Sequence, residues 1–300
     1  MEWILLLLTI GAMKSCELSE SNAFFCQLAS SLYIIKPKRG KSMCLINLQF
    51  RNHPKYKLVV AANRDEFYGR PAATAHFWED EPHILAGRDL TGMGTWLGVT
   101  KHGRIAALTN FRDPTNLEAG QLSRGAVVKD FLAGTVSPSD YLQSIDPTQY
   151  AGFNIIMGDA KKLVYYNNIQ DESYDIPPGT HGLSNHFLNT PWPKVTKGKE
   201  QLASYMAQTD QPDMEILFTI LADAEQAPDT HLPDTGVGLD LERMLSPMFI
   251  KTPDYGTRSA TIVLIAHDGT LTFAERNYEK GEFKEDTIFE FKIEQENTAE

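Results

Sequence analysis

The chain has 300 residues, 42 % of them hydrophobic and 22 % charged, and a formal net charge of −11. That describes an ordinary globular chain, long enough for one large domain or two small ones. Its acidic field repels phosphate, which argues against nonspecific binding to nucleic acid or to an anionic membrane.

Trp3-Ile4-Leu5-Leu6-Leu7-Leu8-Thr9-Ile10 opens an apolar run of signal-peptide length, too short to span a bilayer. Its flanks do not suit export: Glu2 stands where a cation is expected, and Lys14 and Glu17 interrupt the cleavage region. Met13-Lys14-Ser15-Cys16 likewise lacks the small residues of a lipoprotein site. Residues 1–42 are therefore expected to lie outside the functional protein, which would start at Met43; a signal or a removable propeptide are the alternatives. Cys16 and Cys26 fall in this leader, and Cys44 is the only cysteine after it. One cysteine makes no internal disulfide, so 43–300, read as one domain, fits a reducing cytosol. Export is the alternative location if 1–42 act as a signal.

The next stretches, 44–51 and 57–63, read as strands joined by the turn residues Asn52-His53-Pro54. Paired as a hairpin, they bring Arg64 within side-chain reach of Cys44, because the start of one antiparallel strand lies beside the end of the next. Short strands follow at 83–86, 95–101 and 104–110. Helical spacing covers 122–132 and 142–145, with Ser139 as the cap of the second. Strands at 153–157 and 163–167 precede a loop running to Gly182-Leu183-Ser184-Asn185. Helices at 195–207 and 214–224, a Pro- and Gly-rich surface loop at 225–240, and strands at 259–266, 271–276 and 287–293 complete the chain. Strands at both ends with helices between predict an α+β sandwich of two mostly antiparallel sheets covered by helices.

Met43-Cys44 carries the chemistry. Removal of Met43 leaves Cys44 with a thiol and a free α-amine, a nucleophile and a base on one residue. A thiol of pKa about 8.5 needs a cation or a base to supply thiolate at neutral pH, and Arg64 offers the cation. An α-amine of pKa about 7.7–8.0 is a matched base. Asn110 and Asn185 are candidate oxyanion donors. Plainer readings stand beside these: a buried cysteine in a strand, a solvated ion-paired strand end for Asn63-Arg64-Asp65-Glu66, and turn residues for the two asparagines. Trp96 reads as a core residue or as a binding surface, and Trp78 and Trp192 as candidates for a pocket mouth. No zinc-type His or Cys spacing, phosphate loop, Gly-x-Ser-x-Gly elbow or dinucleotide fingerprint is present, so neither a metal nor a cofactor is predicted.

The motifs Met43-Cys44, Ala61-Ala62-Asn63-Arg64-Asp65-Glu66-Phe67-Tyr68, Gly94-Thr95-Trp96-Leu97-Gly98 and Ala106-Ala107-Leu108-Thr109-Asn110-Phe111 occur in order. They continue as Gly182-Leu183-Ser184-Asn185, Thr190-Pro191-Trp192, Tyr255-Gly256-Thr257-Arg258 and Phe273-Ala274-Glu275-Arg276. With these the chain resembles the family named for its Asn-Arg-Asp-Glu motif, the transport and Golgi organisation protein 2 family, over essentially all of 43–300. That family begins at its Met-Cys and is associated with secretory organisation and with haem, lipid or acyl-coenzyme A metabolism.

The order Cys44, Arg64, Asn110, Asn185, Arg258 is also similar to the cysteine N-terminal-nucleophile hydrolases of the penicillin V acylase and bile salt hydrolase group. That likeness implies a four-layer αββα sandwich in which Cys44 attacks an amide, Arg64 stabilises its thiolate and Asp65 holds the α-amine. Asn110 and Asn185 would bind the oxyanion, and Arg258 would support the charge network. In that group the acid follows the arginine by three residues, an offset that Phe67 occupies here, so whether Asp65 or Glu66 meets the amine stays open.

The sequence thus points to a hydrolase acting on an amide or thioester of a small molecule through an acyl-enzyme on Cys44. Asn63, Glu66, Trp96 and Trp192 are expected near the substrate. The alternative is a binding or carrier protein for haem or an acyl-coenzyme A.

Overall fold

The structure, a computed structural model, describes residues 43–112 and 122–295; the leader expected over 1–42 lies outside them. The predicted hairpin is β1 (Met43–Phe50) and β2 (Tyr56–Phe67). All of β1 is buried, because its two faces meet two different apolar layers. Ile46, Leu48 and Phe50 pack between the sheets, while Leu45 packs with Trp192 and Val195. A strand covered on both faces reads as a nearly continuous apolar run, which is how Met43-Cys44-Leu45-Ile46 reads.

There follow β3 (Ala72–Phe77), β4 (Ile84–Asp89), β5 (Leu97–Thr100), β6 (Ile105–Asn110), α1 (Arg124–Ala133) and α2 (Pro138–Gln143). After a 3₁₀ turn at Pro147–Gln149 come β7 (Phe153–Gly158), β8 (Leu163–Asn167), β9 (Glu172–Asp175) and β10 (Gly179–Leu183). The chain continues through α3 (Pro193–Met206), α4 (Met214–Leu221), a 3₁₀ turn at Asp229–His231 and α5 (Leu239–Leu245). It closes with β11 (Tyr255–Ala266), β12 (Thr270–Glu279) and β13 (Glu282–Lys292).

Six strands form one sheet in the order β10-β1-β2-β11-β12-β13, and seven form a second in sequence order from β3 to β9. All the named pairings are antiparallel. Between the sheets lies one core, with Ile46, Val60, Ala62, Val263 and Phe273 from the first and Leu85, Val99, Ala107, Ile156 and Tyr165 from the second. The outer face of the first sheet (Val59, Ala61, Ile262, Leu264) is covered by Leu202 and Met206 of α3 and by Leu217, Phe218 and Leu221 of α4. The outer face of the second (Ile84, Ala106, Ile155) is covered by Val127, Val128, Phe131 and Leu132 of α1. The layers are thus helix, sheet, sheet, helix, the αββα sandwich expected from the sequence.

Several boundaries differ from the sequence expectation. The cap of α2 is Ser137, whose side chain accepts from the Asp140 amide, and not Ser139. The loop expected to run to Asn185 contains β9 and β10. Gly179-Thr180-His181-Gly182-Leu183 is turn-like in composition, and its pairing with β1 makes it a strand. α5 begins in the last two residues of the stretch read as a surface loop and runs on to Leu245, where no element was expected. Lys280 and Gly281, both at positive φ, make the two-residue turn that starts β13 at Glu282. Trp78 is no pocket-mouth residue: it is buried in the core under α1, donating from its indole to the Ala86 carbonyl. Among the described residues, no helix is long and apolar enough to cross a membrane.

Candidate active site

Four strand ends meet at one end of the sandwich: the start of β1 and the ends of β2, β6 and β10. The β1–β2 register sets Cys44 directly opposite Arg64 and Met43 opposite Asp65. Side chains alternate across a strand, so Cys44 and Arg64 share the face of Ile46 and Ala62, which points between the sheets. Cys44 is buried. The β1–β10 ladder pairs Ile46 with Leu183, and two residues further Asn185 reaches the level of Cys44. There the Ser184 hydroxyl donates to the Cys44 carbonyl at 2.9 Å, and the Asn185 amide donates to the Asn110 carbonyl at 2.9 Å. The Arg112 backbone N–H in turn donates to the Asn185 carbonyl at 2.7 Å. Asn185 therefore joins the end of β6 in one sheet to β10 in the other, bringing Asn110, Asn185, Cys44 and Arg64 to one place.

Arg64 and Glu66, two residues apart on one face of β2, form an ion pair at 3.8 Å. Glu66 also pairs with Arg70 at 3.8 Å, and Arg70 is anchored to Asp89 at 2.5 Å. Arg258 lies in the field of Arg64 and Glu66. Its donated bonds go to the backbone carbonyls of Phe67, Tyr68 and Arg70, at 2.9, 3.2 and 3.0 Å. It therefore fixes the turn leaving β2, a backbone role the charge-network expectation did not include. Arg124, at the start of α1, lies within the field of Cys44 and Glu66, and burial lowers its pKa to about 10.

Asp65 points to the opposite face, under the helices. It is fully buried and accepts from the Thr257 hydroxyl at 2.7 Å. Burial raises its pKa to about 7 against the opposing pull of Lys194 and Thr257. Lys194, on the first turn of α3, is buried in turn, and burial lowers its pKa to about 8 against the pull of Asp65. The Met43 N–H donates to the Tyr255 hydroxyl at 2.6 Å, and the Met43 side chain packs with Ile250 and Tyr255. The Met43–Cys44 peptide thus lies beside the Asp65, Thr257 and Tyr255 cluster.

Asn63 does not reach a substrate position. It is fully buried on the helix-facing side and donates to the carbonyls of Leu221 and Met248, both at 2.8 Å. Trp96 packs partly buried against the inter-sheet core. Trp192 packs with Leu45, Val195 and Met248, and the Arg112 guanidinium stacks 4.6 Å from its ring centre. Arg112 is also buried in an ion pair with Glu242 at 2.6 Å.

Sequence reasoning did not single out Lys194, Arg112, Glu242 or Arg124. A lysine in a helix's first turn and an isolated glutamate in a loop-like stretch read as solvent-facing. Tyr255 and Thr257 stand in the Tyr255-Gly256-Thr257-Arg258 string, which is the signal that finds them. Among the described residues no group of three or more His, Cys, Asp or Glu side chains is arranged to hold a metal ion.

The model of the family Transport and Golgi organisation 2 matches residues 43–280. Human Transport and Golgi organization protein 2 homolog is 36 % identical over 257 residues, covering 78 % of this chain and 93 % of that protein. Drosophila melanogaster Transport and Golgi organization protein 2 is 27 % identical over 268 residues, covering 78 % and 91 %. Among solved structures, a Caenorhabditis elegans N-acylethanolamine-hydrolyzing acid amidase ortholog is similar at TM-score 0.46 and 10 % identity, covering 74 % of this chain and 92 % of that one. A mutant conjugated bile acid hydrolase from Clostridium perfringens is similar at TM-score 0.46 and 10 % identity, covering 87 % and 100 %. Likenesses of that depth carry no argument about substrate or mechanism. By its match over most of its length and by its identity to these relatives, the chain belongs to the Transport and Golgi organisation 2 family.

Proposed function

We propose that this chain is a cysteine-nucleophile hydrolase that cleaves an amide or a thioester of a small molecule through an acyl-enzyme on Cys44. The observation that carries the reading is the register at the end of the sandwich, where Cys44 faces Arg64 and Met43 faces Asp65. Removal of Met43 would leave the α-amine of Cys44 beside Asp65. Glu66 is engaged with Arg64 and Arg70 on the other face, which favours Asp65 as the carboxylate that meets it.

In the proposed reaction the α-amine takes the thiol proton and the sulfur attacks the carbonyl carbon. The oxyanion forms beside Asn110 and Asn185, which the Asn185–Asn110 hydrogen bond holds in place. The proton then passes to the leaving nitrogen or sulfur as its bond to carbon breaks. Water, deprotonated by the same amine, next releases the acid and restores the thiol. Arg64 stabilises the thiolate, Arg258 holds the turn after β2, and Glu66, Trp96 and Trp192 border the substrate. The functional chain in this reading begins at Cys44.

The test is turnover of a panel of N-acyl amides and acyl thioesters by the protein and by Cys44→Ala. Loss of about a thousandfold or more with an unchanged melting curve is expected. Equal turnover by the variant rejects the proposal, and saturable binding of haem or an acyl-coenzyme A without turnover by either protein would favour a carrier.

A further inference from the structure

At the start of α3 a small open cleft is lined by Arg112, Trp192, Lys194, Glu242 and Leu245 among others. Two of its cations hold buried N–H groups that no acceptor meets: Lys194 Nζ and Arg112 Nε. Lys194 is only 3 % exposed, so water does not compensate its three donors. A buried ammonium without a hydrogen-bonded partner is costly, and one aimed into a cleft marks a place for an acceptor.

Of the negative groups nearby, Glu242 is already engaged through both oxygens. Glu242 accepts from Arg112 at 2.6 Å with one oxygen, and from the Thr235 amide at 3.0 Å and the Thr235 hydroxyl with the other. Asp65 accepts from Thr257 with Oδ1 and attracts Lys194 through the field without a hydrogen bond between them. The cleft also adjoins the reacting end of the chain. Leu245 lines it and packs with Met43, and Met43 Sδ lies 3.4 Å from the Arg112 guanidinium. Lys194 is within the field of Cys44.

We infer that this cleft is a carboxylate site, in which Lys194 and Arg112 bind the acid group of a small-molecule substrate whose amide or thioester lies at Cys44. The inference rests on the proposed function for its substrate, but the binding of a carboxylate by these two residues is separate from the chemistry. Trp192 and Leu245 supply the apolar walls. A singly charged planar acid suits one ammonium and one guanidinium edge.

The experiment uses the full chain with Cys44→Ala, so that hydrolysis plays no part. Its melting temperature is followed against N-acetylglycine and against N-acetylglycinamide, which has the same body without the charge. A saturable rise with the acid, and an apparent affinity about tenfold weaker or worse for the amide, is the expected result. Lys194→Met should remove the difference while leaving the protein folded. If that variant does not fold, the acid-against-amide comparison decides alone. Equal shifts with the two compounds, or none with either, overturn the carboxylate site. Turnover by the unmodified protein together with that result would leave the acyl-enzyme reading standing, whereas an acid-selective shift without turnover would retain the site and reject the chemistry.

Discussion

Cys44 and Arg64 occupy directly opposed positions of the β1–β2 ladder, with both side chains on the face between the two sheets. Strand geometry alone holds the cation beside the thiol, so the pairing depends on register and not on a flexible loop. A slip of β1 by one residue would send Cys44 to the helix-covered face and leave Arg64 behind.

Removing that cation should slow the thiol. Arg64→Met is expected to reduce the rate of Cys44 alkylation by iodoacetamide at pH 7 by about tenfold, since a neighbouring cation is worth about one pKa unit or more to an anion. The rate is read by mass spectrometry of the Cys44 peptide. An unchanged rate would mean that Arg64 does not act on the sulfur.

Asp65 gives the fold a pH dependence of defined sign. Burial raises its pKa from 3.8 to about 7, so the folded state holds a proton that the unfolded chain releases. The stability this contributes is present below about pH 4 and is lost as pH rises through about 7. Lys194 acts at higher pH: its lowered folded value, about 8 against 10.5, makes stability rise between those values. In the chain that retains Met43, denaturation midpoints measured across about pH 4–7 should fall, and they should flatten in Asp65→Asn. Parallel profiles would show that Asp65 does not titrate differently in the two states.

Asn63 was expected near the substrate and is instead part of the frame. Asn63→Ala strips the side-chain amide that donates to the buried Leu221 and Met248 carbonyls. The expected loss is about 2–3 kcal/mol of stability by urea denaturation, the range for leaving buried polar groups unmatched. A loss below about 0.5 kcal/mol would contradict the assignment.

Gly94 meets the start of α1 backbone to backbone. A Cβ at this position would overlap the carbonyl of Gly125, while the Thr95 amide donates to that same carbonyl at 3.2 Å. Gly94→Ala should destabilise by about 1–3 kcal/mol, as overpacking does where neither backbone can retreat. A neutral effect in a thermal melt would show that α1 can move outward.

The hairpin and the level of Arg64 beside Cys44 were legible because both strands are apolar and the turn between them is short. The opposite facing of Asp65 and Glu66 followed from the two-residue period of a strand. β10 was not legible: Gly179-Thr180-His181-Gly182-Leu183 has the composition of a turn, and only its partner β1 makes it a strand. β9 is exposed along its length, so no burial pattern marks it. Lys194 and Arg112 were hidden for a related reason. A charge buried by residues distant in sequence carries no local sign of its burial, whereas Asn110 and Asn185 stood in motifs that could be read directly.

In the proposed mechanism Cys44 acts as an N-terminal residue, with its own amine as the base. The most direct test is the intact mass of the protein purified from its native host, with the first residue identified by fragmentation. A chain that begins at Cys44 with a free α-amine is the expected result. A chain that retains Met43, or any residue before it, would leave Cys44 without that base and would contradict the mechanism.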